Sequence, residues 1–147
     1  MSTDLSNISP ALEASGLSIG YRCGRKEGWK TVHPRVNFVL HRGELTSLIG
    51  LNGAGKSTLL RTLCGFQPAV SGTVRVLGRE LPEYSSHELA LTVGVVLTER
   101  TNAGGLTVRE LVALGRQPHT GFFGRLGDRD REVVSEAMSA VGIAHKA

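Results

Sequence analysis

Aspartate is scarce in this chain. Three occur in 147 residues, Asp4, Asp128 and Asp130, and none follows an apolar run. Nucleotide hydrolases hold Mg²⁺ with such an acid and orient the attacking water with another polar group; no pair of that kind can be picked out. Cysteine is equally sparse. Cys23 and Cys64 have no metal or redox spacing, which excludes a disulfide framework or a zinc module and makes a reduced, cytosolic compartment the default. Aromatic residues are only 5% of the chain, and no basic stripe is interleaved with them, so a nucleic-acid surface is not supported. The small basic cluster Arg22, Arg25, Lys26 and Lys30 reads as a solvated loop. Unbroken apolar stretches are a handful of residues, far short of the ~20 that a membrane helix needs. The opening stretch MSTDLSNISPALEAS is polar and lacks a signal-peptide core. A membrane role is therefore expected to run through a partner.

What is present is an ordinary globular composition: 40% hydrophobic, 20% charged and a net charge of +4 from thirteen arginines and four lysines against the acids. Such a length suits one domain with a sizeable core. The informative stretch is GLNGAGKSTLL, Gly50 to Leu60. Gly50, Gly55, Lys56 and Ser57 fit G-x-x-x-x-G-K-[ST]. Glycines let the backbone N–H groups from Gly53 to Thr58, across Ala54, converge on phosphate oxygens. A helix starting there adds its positive end. Lys56 supplies a mobile charge to β- and γ-phosphates, Ser57 is the expected Mg²⁺ ligand, and Thr58 offers a hydroxyl to the α-phosphate. Asn52 completes the loop.

Around the loop the patterning alternates between β and α. Residues 1–16 read as a tail, Leu17 to Tyr21 and Arg35 to Leu40 as strands, and Leu45 to Gly50 as a short apolar strand entering the loop. Leu59, Leu60, Leu63 and Cys64 share a helical face that Gly65 can close. Pro68 to Gly78 reads as a turn and a strand, bounded by Ser71-Gly72 and Gly78. Ser85 to Glu88 and Thr107 to Glu110 are capping boxes. Val93 to Leu97 is continuous β-former, as in a buried parallel strand. An irregular linker is expected from Arg116 to Asp128. A last helix is expected from about Arg129 to Val141, with Val133, Val134, Ala137, Met138 and Val141 as its stripe and Gly142 as its stop. The expected fold is an α/β P-loop nucleoside triphosphatase (NTPase) core with an antiparallel β-region and the start of a helical subdomain. Its first half spans 17–98 and the helical part 99–147.

The run from Gly50 to Ala90 resembles the Walker A helix and following β-region of ATP-binding cassette (ABC) transporter ATPases. LTVRELVALGRQPHTGFFGRL is similar to the cassettes that power uptake of iron–siderophore complexes, haem and cobalamin. The resemblance covers about Leu12 to Ile143. It implies ATP and Mg²⁺ as cofactors, a homodimer of ATPase subunits in the full-length protein, transmembrane permease subunits as partners, and a cytoplasmic place on the inner face of the membrane. Tyr21 falls on the family's adenine-stacking aromatic, with Trp29 as the other candidate ring. Thr98, or Glu99 with a one-residue slip, falls where the family has the glutamine that touches Mg²⁺ and the attacking water. The segment Gly115 to Leu126, with Phe122 and Phe123, is expected to face the permease. The Walker B acids, the LSGGQ-like signature and the switch histidine have no counterpart here, as expected of a chain that stops before them. Two alternatives stay open: a small P-loop kinase using Glu99 on the metal side, and a nucleotide-binding fragment without catalysis.

Overall fold

A computed structural model describes residues 10–23, 28–97, 104–121 and 124–146. The chain forms two compact units, Met1–Ser85 and Ser86–Ala147.

The first unit is built on an antiparallel sheet of order β2-β1-β3-β4. Its strands are β1 Pro10–Arg22, β2 Trp29–His41, β3 Ser71–Val76 and β4 Arg79–Glu80. β1 thus starts within the segment expected to be a tail. Pro10 and Gly16 look like strand breakers, yet neither is one here. A proline is tolerated as the first residue of a strand. Gly16 takes φ +54° at a bulge: Ala14 pairs with Phe38 and Leu17 with Val36, leaving an extra residue on β1. The bulge re-aims the side chains, so that Ala14, Leu17 and Ile19 all point into one core despite their uneven spacing. Asn37 holds it in place, its side-chain carbonyl accepting from the Gly16 N–H at 2.6 Å. Trp29, expected in a loop, opens β2 and pairs with Arg22.

Helix α1, Lys56–Leu63, lies on this sheet and adds Leu63 to the core of Ala14, Leu17, Ile19 and Val74. Its end is a Schellman turn. Gly65 N–H donates to Thr62 C=O at 3.2 Å and Phe66 N–H to Arg61 C=O at 2.9 Å, with Gly65 at φ +75°. Thr62, also buried, donates back to Thr58 C=O at 2.8 Å.

Two expected strands are absent. Residues 45–50 and 93–97 are neither strand nor helix. Leu45 and Ile49 are 98% and 90% exposed, and Val96 is 98% exposed. Being apolar and β-branched suits a residue to a sheet but does not make one; backbone groups must find a neighbouring strand. Among the described residues neither segment has one. The phosphate loop therefore follows a segment without a strand partner among the described residues, rather than the expected strand.

The second unit is helical: α2 Ser86–Thr92, α3 Val108–Ala113 and α4 Asp128–Ala140. The Thr107 capping box forms as read. Thr107 Oγ1 accepts from Glu110 N–H at 3.2 Å while Glu110 accepts from Thr107 N–H at 2.8 Å. The expected irregular linker is in part ordered, as a 3₁₀ helix over Leu114–His119. Arg116 joins it to α4 through an ion pair with Asp130 at 2.8 Å. Of the predicted α4 stripe, Val134 and Met138 are buried, whereas Ala137 and Val141 are exposed. Among the described residues, no helix is long and apolar enough to cross a membrane.

Candidate functional site: the phosphate loop and its flanking hairpin

The site begins with a misfit. Lys56 is the first residue of α1, and no acid lies in that first turn. A cation at the positive end of a helix is unfavourable by itself, and the leading N–H groups of any helix lack intrahelical acceptors. Both features become favourable together when an anion sits there. Meanwhile the Lys56 ammonium donates to the carbonyls of Gly50 and Leu51, both at 2.8 Å. The lysine is thereby folded over its own loop.

Glycine is required in this loop by geometry. Gly55, the N-cap, has φ +87°, and a Cβ on it would lie 2.6 Å from Val32 Cγ1. Backbone conformation and space both exclude a side chain. Gly53 also has positive φ, at +81°. The turn between them is closed by Ala54 N–H donating to Leu51 C=O at 3.2 Å.

A second tether fixes the hairpin against the loop. The Gln67 side-chain amide donates to Gly20 C=O at 3.1 Å and to Thr62 Oγ1 at 3.0 Å. Gly20 precedes Tyr21, and Thr62 belongs to α1. Gln67 thereby holds the end of β1 against the last turn of α1. Gly20 allows β1 to approach β2, because a Cβ there would overlap the Lys30 carbonyl.

Between hairpin and loop lies a cavity of about 600 Å³, within the range of small-ligand sites. The loop side is lined by Asn52, Gly53, Gly55, Lys56, Ser57 and Thr58. The hairpin side is lined by Tyr21, Lys30, Thr31 and Val32. Tyr21 is thus brought to the same cavity as the phosphate loop. Trp29 is not: it pairs with Arg22 and so points to the other face of the ribbon from the Tyr21–Lys30 pair. Gly50 and Ala54, both expected at the phosphates, do not line this cavity. Gly50 instead supplies a carbonyl to Lys56. Ala54 borders a smaller hollow of about 220 Å³ with Ile19, Leu48, Ile49 and Leu59. Thr98 and Glu99 lie outside the described residues, as do Phe122 and Phe123. Sequence reasoning passed over Lys30, Thr31, Val32 and Gln67. The pairing of Tyr21 with Lys30 is the one signal that could have found the first of them, had β2 been traced back to Trp29.

The residues present fit a triphosphate with its cation. The loop offers a side-chain-free cradle, a lysine and two adjacent hydroxyls. Among the described residues no cluster of three or more His, Cys, Asp or Glu could hold a metal by itself. Of the side chains lining the cavity, the Ser57 hydroxyl could hold a cation brought by such a ligand.

Comparison with known proteins points the same way. The ABC transporter family matches residues 34–147. The ferric enterobactin transport ATP-binding protein FepC of Escherichia coli is 40% identical over 136 residues, covering 92% of this chain and 48% of FepC. The iron(3+)-hydroxamate import ATP-binding protein FhuC of Bacillus subtilis is 34% identical, covering 93% of this chain and 49% of FhuC. Among solved structures, an ABC transporter described as of metal-chelate type, in an inward-facing conformation, superposes with a TM-score of 0.68 at 27% identity. The match covers 94% of this chain and 48% of that one. The chain thus spans about half the length of the relatives it matches. The matches favour the cassette over the small P-loop kinase.

Proposed function

The chain belongs to the ABC transporter family, and on that premise we propose that it is the ATP-binding part of an importer for an iron complex or similar chelate. The observation that carries the ATP reading is Lys56. It is a cation at the positive end of α1, with no acid in the first turn, in one cavity with Ser57, Thr58 and Tyr21. An anion bound there would offset a charge that the Gly50 and Leu51 carbonyls hold meanwhile. In this reading the N–H groups of the loop and α1 bind the phosphates, and Lys56 leaves the Gly50 and Leu51 carbonyls to meet them. Ser57 holds Mg²⁺, which when bound neutralises phosphate charge. Tyr21 stacks the base through its ring face, which requires no hydrogen bond.

The choice of an iron chelate rests on FepC and FhuC, whose names give ferric enterobactin and iron(3+)-hydroxamate. The partners proposed are transmembrane permease subunits and a second ATPase subunit, with the protein held at the inner face of the membrane. Thr98 or Glu99 is proposed to face the metal and the attacking water, and Gly115 to Leu126 to face the permease. No aspartate follows an apolar run, so the 147-residue chain is expected to bind Mg·ATP without turning it over.

Calorimetric titration with Mg·ATP tests the site: binding to the wild type and its loss in Lys56→Ala are expected. Equal affinity in the two proteins removes the phosphate-loop reading. Uptake of a labelled ferric chelate by cells carrying the Lys56→Ala allele tests the importer reading; undiminished uptake would count against it.

A further inference from the structure

The hairpin wall of the nucleotide cavity carries a second lysine. Tyr21 and Lys30 are direct partners in the β1–β2 register, so their side chains stand on one face of the ribbon. The Lys30 ammonium lies 5.9 Å from the centre of the Tyr21 ring, close enough for a cation–π contact. Both residues line the cavity that Lys56, Ser57 and Thr58 line from the loop side. The two lysines therefore divide the labour by position. Lys56 sits at the helix N-terminus, where phosphates bind. Lys30 sits at the ring, where the base binds.

An ammonium has three donors and no acceptor. Beside a stacked base it favours an edge that presents acceptors. Guanine and hypoxanthine offer O6 and N7 together, an arrangement to which lysine donates well; adenine replaces O6 with an amino group, itself a donor. Lys30 is exposed, so its stem is free to follow the edge of whatever purine rests on Tyr21. We infer that Lys30 is a base-reading residue of this site, making it receptive to 6-oxopurine nucleoside triphosphates and not to ATP alone. This inference rests on the nucleotide reading of the cavity given above.

The test is titration of Mg·ATP, Mg·GTP and Mg·ITP into wild type, Lys30→Met, Lys30→Arg and Lys56→Ala. Wild type is expected to bind GTP and ITP at least as tightly as ATP. Lys30→Met, which keeps the stem and removes the donors, should weaken GTP and ITP about five- to tenfold relative to ATP, the lower part of the range for a lysine–guanine contact. Lys30→Arg should retain the wild-type order. Three results overturn the inference: a wild type that already rejects GTP by tenfold or more, an equal loss for all three nucleotides in Lys30→Met, or no loss for any. Equal loss would assign Lys30 to the phosphates or to steadying Tyr21. Undiminished binding by Lys56→Ala is a different failure, since it removes the phosphate site itself and the base reading with it.

Discussion

The β1 strand and the segment 45–49 are both rich in apolar residues, and their fates differ. In β1, Leu17 and Ile19 are 0% and 1% exposed, covered by α1 and flanked on both sides by antiparallel strands. In the other segment, Leu45 and Ile49 are almost wholly exposed and the backbone pairs with nothing among the described residues. In the second unit, 93–97 likewise has no strand partner among the described residues, and Val96 is 98% exposed. The difference is one of partners. The neighbours of β1 arrive by a hairpin and a short return through α1, whereas 45–49 has no strand neighbour among the described residues. Apolar β-forming sequence states a requirement for cover, and only the rest of the chain decides whether it is met.

The largest expected effect sharpens this contrast. Leu17→Ala opens a hole in a closed core and should destabilise the first unit by about 2–5 kcal/mol. Ile49→Ala removes a side chain already in water and should stay within about 0.5 kcal/mol. Urea unfolding followed by circular dichroism measures both. Comparable losses would mean that 45–49 is packed and that the contrast between the segments is false.

What could be read from the sequence follows the same line. The phosphate loop, α1 with its Gly65 stop, the Thr107 box and α4 with Gly142 are local devices. Each is specified by residues within a turn or two of one another; the Gly65 stop, the Thr107 box and the Gly142 turn form as read, while the loop lacks the strand expected before it. The start of β1 was hidden because Pro10 and Gly16 carry breaker signals. Their tolerance depends on strand position and on a bulge, both set by β2. Lys30 was read as loop charge because its significance comes from the strand opposite. The strands expected at 45–50 and 93–97 were legible as composition and absent as structure, for want of a partner.

Next in size is Lys56→Ala, which separates ligand from fold. Loss of a charge-assisted contact should weaken Mg·ATP by about 1.5–3 kcal/mol in calorimetry. The unliganded melting point should barely move, because among the described residues Lys56 bonds to exposed loop carbonyls. Gly55→Ala should behave differently. It forces a Cβ against Val32 at φ +87° and is expected to lower both affinity and stability, by more than about 1 kcal/mol in the latter. A fully stable Gly55→Ala protein would show that the loop and hairpin are not in contact as described.

A smaller effect tests a local device in the second unit. Thr107→Ala removes the acceptor for Glu110 N–H and should cost about 1 kcal/mol, read from the unfolding of that unit. Glu110 is held below its ordinary carboxylate value by the Thr107 N–H first and its hydroxyl second. The variant should therefore raise the Glu110 titration midpoint, measurable by NMR.

The smallest effect compares two ion pairs of the second unit. Arg116–Asp130 is largely sheltered, with side chains 21% and 15% exposed, whereas Arg131–Asp128 is open at 68% and 96%. The Arg116 guanidinium, and after it the Gly127 N–H, hold the Asp130 carboxyl below its ordinary value. A carboxyl whose folded value is depressed adds stability above its unfolded value, about 3.9. That contribution is full at neutral pH, begins to fade near pH 4 and vanishes as pH falls through the lowered folded value. Wild type should therefore exceed Asp130→Asn in melting temperature at pH 7, and the gap should narrow toward pH 3. Salt at 1 M, where charges are screened within ~3 Å, should abolish any effect of Asp128→Asn while leaving much of the Asp130 gap. A gap of the same size at pH 7 and pH 3 would mean that Asp130 acts as a neutral hydrogen-bonding cap, with Arg116 contributing packing and not charge.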